Sequence, residues 1–153
     1  MLLKETAFVR FFSLKIPILL LLAPRVVEFD EEGCAVRIAL DLRTKNHLGS
    51  MYVGVLCAGA DLASGLNAAW LIFTRHRKVK LSFKDLNAQF LTRADGDVVF
   101  RSRDGARVRE AMEQAASTGE RVTIPVEVVA TVPEKYGDEP VARFTMGLSL
   151  KRS

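Results

Sequence analysis

The sequence contains few of the residues from which metal sites and disulfide frameworks are built. Among its 153 residues are two cysteines and two histidines, and Cys34 and Cys57 lack the spacing of a metal-binding motif. Nor do two cysteines form a disulfide framework. We therefore expect no metal site and two reduced, buried thiols in a reducing compartment, with the cytoplasm as the location.

Positive charge is only in small excess, with 22 lysines and arginines against 18 acidic residues. The basic residues are spread over several predicted strands, whereas nucleic-acid-binding proteins gather them on one face with aromatic partners. No nucleic-acid partner is expected.

Apolar residues make up 49% and charged residues 26% of the chain, which is typical of a globular protein. The length predicts one domain, residues 1–153.

The first apolar stretch, residues 16–23, is far shorter than the ~20 residues that a bilayer requires. The basic residues Arg10 and Lys15 give it a faint likeness to a signal peptide, but Pro17 interrupts it and no cleavage motif follows. Residues 1–23 are therefore predicted to form a short amphipathic helix and an apolar segment that packs on a sheet.

The second apolar stretch, residues 51–73, is long enough to cross a membrane. However, Asp61 lies near its middle, and a central aspartate costs about 3 kcal/mol on membrane-insertion scales. Residues 51–67 are apolar or small on all sides, which is typical of a buried helix. We expect that helix in the core, with Ser50 as its N-cap, and no stable membrane insertion.

Alternation of apolar and polar residues predicts antiparallel strands elsewhere in the chain. The predicted order is a hairpin, the buried helix, a second hairpin, a surface helix and a third hairpin; the corresponding ranges are 25–41, 51–67, 77–103, 104–117 and 121–150. This order predicts an α+β fold in which one antiparallel sheet covers the buried helix.

Asp61 is the only charged residue between Lys45 and Arg75. A carboxylate on a buried helix is costly unless it is hydrogen-bonded or neutral. One interpretation is a structural carboxylate bonded to backbone or a hydroxyl, or reaching solvent at the edge of the helix. The other is a carboxylate with a shifted pKa at a functional site. Gly54, Ala58 and Gly65 share its helical stripe and leave room beside it.

Residues 49–54 (GSMYVG) lead into the helix. Free backbone N–H groups at a helix start carry partial positive charge, and they can bind a carbonyl oxygen that becomes negative during acyl transfer. The same glycines also fit an ordinary tight loop.

At these residues the chain resembles a known family. Asn46, Gly49 and the segment 50–54, followed by the segment 60–65, resemble the signature of hot-dog acyl-CoA thioesterases of the PaaI-like type. The resemblance is closer still to the DUF4442 branch of that superfamily. In the family pattern an acid falls nine residues after a His-Gly-Gly turn, as Asp61 falls nine residues after Tyr52. The resemblance implies a hot-dog fold, in which a curved sheet wraps a central helix.

It also implies roles for individual residues. Asp61 would be the catalytic base or nucleophile, the N–H of Val53 or Gly54 would polarise the thioester carbonyl, and Asn46 would position the thioester or water. The site would be shared between subunits of a homodimer or homotetramer, and acyl-CoA or an acyl-carrier protein would be the partner, with no further cofactor. The implied substrate-binding residues are Gly49, Tyr52, Gly65, Arg75 and Lys78.

Two departures from the pattern affect activity more than fold. Tyr52 replaces the family's histidine, so the imidazole is lost, and Val53 replaces the first glycine but keeps its N–H. His47 does not match the missing histidine and is interpreted as a loop residue.

Three functions remain open. The chain is a thioesterase, a non-catalytic binder of acyl chains or acyl-CoA, or an oligomeric interaction domain. The basic residues that follow the helix are either a solvated sheet face or a contact for CoA phosphates.

Overall fold

The computed structural model describes residues 1–153 and contains five helices and six strands. The helices are α1 (Leu3–Ser13), α2 (Pro17–Leu21), α3 (Val53–Thr74), α4 (Gly105–Thr118) and α5 (Pro133–Tyr136). The strands are β1 (Arg25–Asp30), β2 (Gly33–Ile38), β3 (Val79–Phe90), β4 (Val98–Ser102), β5 (Val122–Thr131) and β6 (Pro140–Arg152).

All six strands belong to one antiparallel sheet in the order β1-β2-β4-β5-β6-β3. The sheet curves around α3, which contacts β2, β3, β4, β5 and β6. The α+β prediction and the hot-dog arrangement that the resemblance implies are confirmed.

The prediction of a hairpin over residues 77–103 is wrong. β3 pairs with β6 at one edge of the sheet, whereas β4 lies between β2 and β5. The reason lies in the segment before β4: Asp97 accepts hydrogen bonds from the Leu40 N–H (2.9 Å) and the Arg37 guanidinium (2.8 Å). These bonds tie the segment to the end of β2. The Asp-Gly turn therefore leads the chain away from β3 and does not close a hairpin.

The central helix begins and ends later than predicted, at Val53–Thr74 instead of 51–67. Its C-terminal extension is held by aromatic packing, because Trp70 and Phe73 lie 5.1 and 5.3 Å from the ring of Phe8 in α1. At the other end Ser50 is not the cap. Met51 is extended, forming an isolated bridge with Lys45, and Tyr52 occupies the N-cap position.

Close packing against the sheet explains the small residues of α3. A Cβ atom at Gly59 would lie 2.3 Å from the ring of Phe100, a fully buried residue of the central strand β4. α3 is long and apolar enough to cross a membrane, but two-thirds of its most apolar stretch is buried inside the protein. It is the core helix of the fold.

The N-terminal segment fills the gap between the helix and β1. The Leu2 N–H donates to the Val26 carbonyl (2.7 Å), and the Val26 N–H donates to the Thr6 hydroxyl (2.9 Å). Leu19 and Leu22 pack in the main core. The apolar segment after α1 is itself a short helix, α2, with Leu19 buried and Ile18, Leu20 and Leu21 exposed.

Candidate functional site

Asp61 lies on α3 with its carboxylate unpaired. Its side chain takes part in no hydrogen bond or ion pair, and the nearby Ser64 hydroxyl donates to the backbone carbonyls of Ala60 (2.7 Å) and Asp61 (3.1 Å), not to the carboxylate. Burial raises the pKa of the Asp61 carboxyl above its ordinary value. A carboxylate bonded to backbone or hydroxyl is therefore absent. The partly exposed Asp61 fits both a carboxylate that reaches solvent at the edge of the helix and a carboxylate at a functional site.

An apolar cleft of about 740 Å³ opens beside Asp61. Fourteen of its twenty lining residues are hydrophobic, so most of the lining suits an apolar chain. Its walls come from α1, α2, α3 and β3. The α3 wall consists of Asp61, Leu62, Gly65, Leu66, Ala69, Ile72 and Phe73.

The length of the cleft follows from helix geometry. Asp61 and Phe73, at the two ends of the α3 wall, are twelve residues apart, which corresponds to about 18 Å at 1.5 Å per residue. An extended chain advances roughly 1.2 Å per bond, as in a polypeptide. The cleft is therefore long enough for an acyl chain of about fifteen bonds.

The start of α3 presents two free backbone donors. The carbonyl of Tyr52 accepts hydrogen bonds from the Val55 and Leu56 N–H groups, whereas the N–H groups of Val53 and Gly54 donate to no atom of the chain. Val53 and Gly54 are exposed. Together with the helix dipole, these donors form a site for an oxygen that carries negative charge.

The loop before α3 is built around Asn46. Its side-chain oxygen accepts hydrogen bonds from the N–H groups of Leu48 (2.8 Å) and Ser50 (3.2 Å), and its amide nitrogen donates to the Ser50 hydroxyl (3.2 Å). Gly49 has φ +79°, which explains the glycine there. The hydrogen bonds of the Asn46 side chain therefore all stay within this loop and shape the approach to α3.

Tyr52 lies over the start of the helix. A Cβ atom at Gly54 would be 2.5 Å from the Tyr52 ring, so the absence of a side chain at Gly54 lets the ring pack there. The Tyr52 hydroxyl forms no hydrogen bond. An exposed phenol thus stands beside the free donors.

Within one chain the two parts of the site are separated. Asp61 follows Val53 by eight residues of one helix, which places them about 12 Å apart along its axis. The acid and the helix-start donors of one chain therefore cannot contact the same carbonyl group.

Basic residues near α3 lie in two different depressions of the surface. Arg75 and Lys78, which the sequence predicted as substrate-binding, do not line the apolar cleft; Arg75 lies in a smaller depression with Trp70 and Arg109. The cleft instead contains Lys15, Arg77 and Lys80. Lys15 and the aromatic residues of α1 carried no sequence signal for a site, because their approach to β3 depends on how the sheet curves.

These features define a protein with the hot-dog fold and an acid beside an apolar cleft. Residues 4–148 match the family model described as "Domain of unknown function (DUF4442)", and the chain belongs to this family. No curated protein matches it.

Solved structures share the fold at low sequence identity. One is a Pseudomonas aeruginosa protein of unknown function described as a probable thioesterase, with a TM-score of 0.76, 21% identity, and 100% of this chain and 97% of that chain covered. A protein of unknown function from Chlorobaculum tepidum has a TM-score of 0.80 at 13% identity, covering 97% and 94%. A thioesterase family protein from Silicibacter pomeroyi has a TM-score of 0.69 at 16% identity, covering 97% and 99%.

Proposed function

We propose that the protein hydrolyses the thioester bond of acyl-CoA or of an acyl-carrier protein in the cytoplasm, without a cofactor. The observation that carries this proposal is the unpaired carboxylate of Asp61 at one end of a long apolar cleft. The names of two structural relatives, a probable thioesterase and a thioesterase family protein, support the same class of reaction.

The chemistry follows from the two parts of the site. As general base, Asp61 takes a proton from water while the water oxygen attacks the thioester carbonyl, and it then gives this proton to the leaving thiolate. As nucleophile, its own oxygen attacks and forms an acyl-aspartyl anhydride, which water then hydrolyses, and the thiolate takes its proton from water. The N–H groups of Val53 and Gly54 bind the carbonyl oxygen as it becomes negative. The C–S bond then breaks and the thiol leaves with a proton. A pKa raised by burial makes Asp61 a stronger base than an ordinary aspartate.

The cleft suits the acyl chain better than the pantetheine arm of CoA. Pantetheine carries two amide groups that need hydrogen-bond partners when buried, and Ser82 is the only uncharged polar residue in the lining. A hydrocarbon chain has no such need. The cationic side chains of Arg77 and Lys80 at the cleft, with Arg75 and Lys78 outside it, are proposed to contact phosphates of the CoA half.

The separation within one chain requires that the donors come from a second copy. We propose a homodimer, or a homotetramer built from it, in which Asp61 of one copy faces the start of α3 of the other. β3 supports this assembly because it is an edge strand of twelve residues with exposed apolar side chains at Leu86 and Phe90. The unpaired backbone groups of an edge strand are a ready-made pairing surface.

The first experiment measures thiol release from acyl-CoAs of graded chain length. Asp61→Ala is expected to abolish turnover, while Asp138→Asn, a carboxylate change in an exposed loop, leaves the rate unchanged. Wild-type rates should rise with chain length until the cleft is filled. Equal rates for wild type and Asp61→Ala would rule out the proposed role of the carboxylate.

The second experiment removes one donor. Val53→Pro deletes an N–H that makes no hydrogen bond, and proline is well tolerated at the first helical position. Tyr52, with φ −62° and ψ 140°, already has the conformation favoured before proline. We expect a fall in kcat of about 10²–10³, as for other oxyanion-site donors, with an unchanged melting temperature. Unaltered kcat would remove Val53 from the mechanism.

A non-catalytic acyl-chain or acyl-CoA binder is the second candidate. The Tyr52 ring against Gly54 and the exposed Val53 side chain favour it, because both crowd the place where a carbonyl would bind. In that case a long-chain acyl-CoA raises the melting temperature and no thiol appears over hours. A pure interaction domain would form dimers and show no effect of any acyl ligand.

A further inference from the structure

The outer face of α1 differs from that of an ordinary surface helix, which is polar. Leu3, Ala7, Phe11 and Leu14 follow the helical spacing i, i+4, i+8 and i+11 and share one face, and all four are exposed. Phe11 is 61% and Leu14 60% exposed. The outer face of this helix is therefore apolar.

The inner face of α1 carries two polar residues beside the buried apolar side chains of Phe8 and Val9. Thr6 and Ser13 are buried, at 3% and 0% exposure. Each has its hydrogen bond: the Thr6 hydroxyl accepts from the Val26 N–H (2.9 Å), and the Ser13 hydroxyl donates to the Val9 carbonyl (2.7 Å). The hydrogen bonds of Thr6 and Ser13, together with the buried side chains of Phe8 and Val9, fix which face of α1 packs on the protein.

The apolar outer face continues into α2. Ile18 and Leu21 point outward, whereas Leu19 and Leu22 are buried in the core. A contiguous apolar surface of this kind on a soluble protein marks an interaction site. We call the exposed set Leu3, Phe11, Leu14, Ile18 and Leu21 the N-terminal apolar face.

Unpaired cations border the N-terminal apolar face. Lys4 and Arg10 flank it within α1 and Lys15 follows the helix, and none of the three forms an ion pair. The Nε atom of Arg10 is buried and has no hydrogen-bond acceptor. Glu5 is the only acidic residue in the first 27. The border thus lacks anions that could neutralise it.

We propose that the N-terminal apolar face docks on the surface of an anionic phospholipid membrane. Helices that bind such a surface have apolar side chains in the middle, which enter the boundary of the acyl chains. Unpaired cations around these side chains contact the lipid phosphates. The N-terminal apolar face has both features. The helix lies on the membrane and does not cross it. This docking is independent of the reaction proposed above.

A second copy of the chain fits the same face less well. A twofold-symmetric contact places identical surface patches against each other. Lys4, Arg10 and Lys15 of one copy would then meet the same three cations of the other without intervening acids, and such juxtaposed like charges oppose association. The charge pattern therefore favours an anionic surface as the occupant.

The apolar cleft opens at the membrane-facing side. Phe11, Phe12 and Ile16 belong to the exposed segment and also line the cleft that contains Asp61. Docking would therefore bring the entrance of the cleft close to the lipid, where long acyl chains partition.

The test is flotation of the full-length protein with phosphatidylcholine vesicles that contain phosphatidylserine. Phe11→Ser combined with Leu14→Ser should weaken binding at least about a hundredfold, because two apolar side chains no longer enter the acyl boundary. Each of Lys4→Gln, Arg10→Gln and Lys15→Gln should weaken it about fivefold. Leu42→Ser combined with Leu48→Ser, a matched change at exposed loop leucines, should have no effect.

Further measurements distinguish docking on a membrane from association with a second copy of the chain. Binding is expected to disappear on pure phosphatidylcholine vesicles and to weaken with salt. The proposal is overturned if the wild type does not float with anionic vesicles. It is also overturned if the Phe11→Ser, Leu14→Ser variant floats like the wild type, or if that variant merely converts a dimer into a monomer in sedimentation. Circular dichroism of the variant checks that the fold is retained.

Discussion

The closest approach between α3 and the sheet gives a quantitative test of the fold. A Cβ atom at Gly59 would lie 2.3 Å from two atoms of the Phe100 ring, well inside van der Waals contact. Phe100 is fully buried in the central strand β4, so its ring cannot move aside into solvent. Gly59→Ala must therefore shift the helix or the ring.

The expected size of this effect combines two terms. Overpacking a well-packed core costs about 1–3 kcal/mol, whereas replacing glycine by alanine inside a helix returns roughly 0.5–1 kcal/mol. The net result for Gly59→Ala is a loss of about 1–2 kcal/mol. For a domain of this length each kcal/mol corresponds to about 2–4 °C, so the melting temperature should fall by about 3–6 °C.

Gly65→Ala is the matched control on the same helix. The added Cβ would lie 3.4 Å from the Phe83 ring and 3.6 Å from Leu81, which is ordinary packing distance. Only the gain in helix propensity remains, and the melting temperature should rise by about 2 °C. Differential scanning calorimetry measures both variants. If Gly59→Ala were as stabilising as Gly65→Ala, α3 would not be pressed against β4 as described.

Three other predictions concern Asp61, the two thiols and assembly. Because burial raises the pKa of Asp61 in the folded state, ionisation opposes folding above the unfolded pKa of about 3.9; Asp61→Asn should raise the melting temperature at neutral pH, and the difference should vanish at more acidic pH. Burial raises the pKa of the Cys34 thiol to about 12, so iodoacetamide should label only the half-buried Cys57 in the native protein and both thiols after unfolding. Sedimentation at micromolar concentration should show a dimer or tetramer, and Leu86→Lys on the exposed edge strand should shift it towards monomer; a wild-type monomer would contradict the shared site.

The sequence predicted the elements better than their pairing. Alternation identified β5, where core-facing and exposed residues follow one another, and β6, whose alternation of apolar and polar residues persists although residues 146–150 are all buried. The all-apolar pattern around Asp61 identified the central helix. The failed hairpin over residues 77–103 shows the limit of local signals. An Asp-Gly turn fits a hairpin, but the side chain of Asp97 bonds to Arg37 and Leu40, sixty and fifty-seven residues away.

Part of the candidate site could be predicted because its signals are local in the sequence. A lone acid in a neutral helix and a glycine-rich helix start are local patterns. In the structure Asp61 is unpaired and the N–H groups of Val53 and Gly54 are free, while the catalytic roles of these residues stay predictions. The cleft was not predictable, because Phe11 and Lys15 reach it only through the docking of α1 between α3 and the sheet edge. The same tertiary arrangement assigns Arg77 and Lys80 to the cleft in place of Arg75 and Lys78.

The most direct test of the central claim is complementation between two inactive variants. Val53→Pro lacks a donor and Asp61→Asn lacks the base, so each homodimer is expected to have two defective sites. When the two variants are co-expressed, half of the dimers are mixed and each mixed dimer holds one intact site of two, so thiol release should recover to about a quarter of the wild-type rate. A mixture that stays as inactive as its components would show that the carboxylate and the helix-start donors do not act on one carbonyl from separate chains.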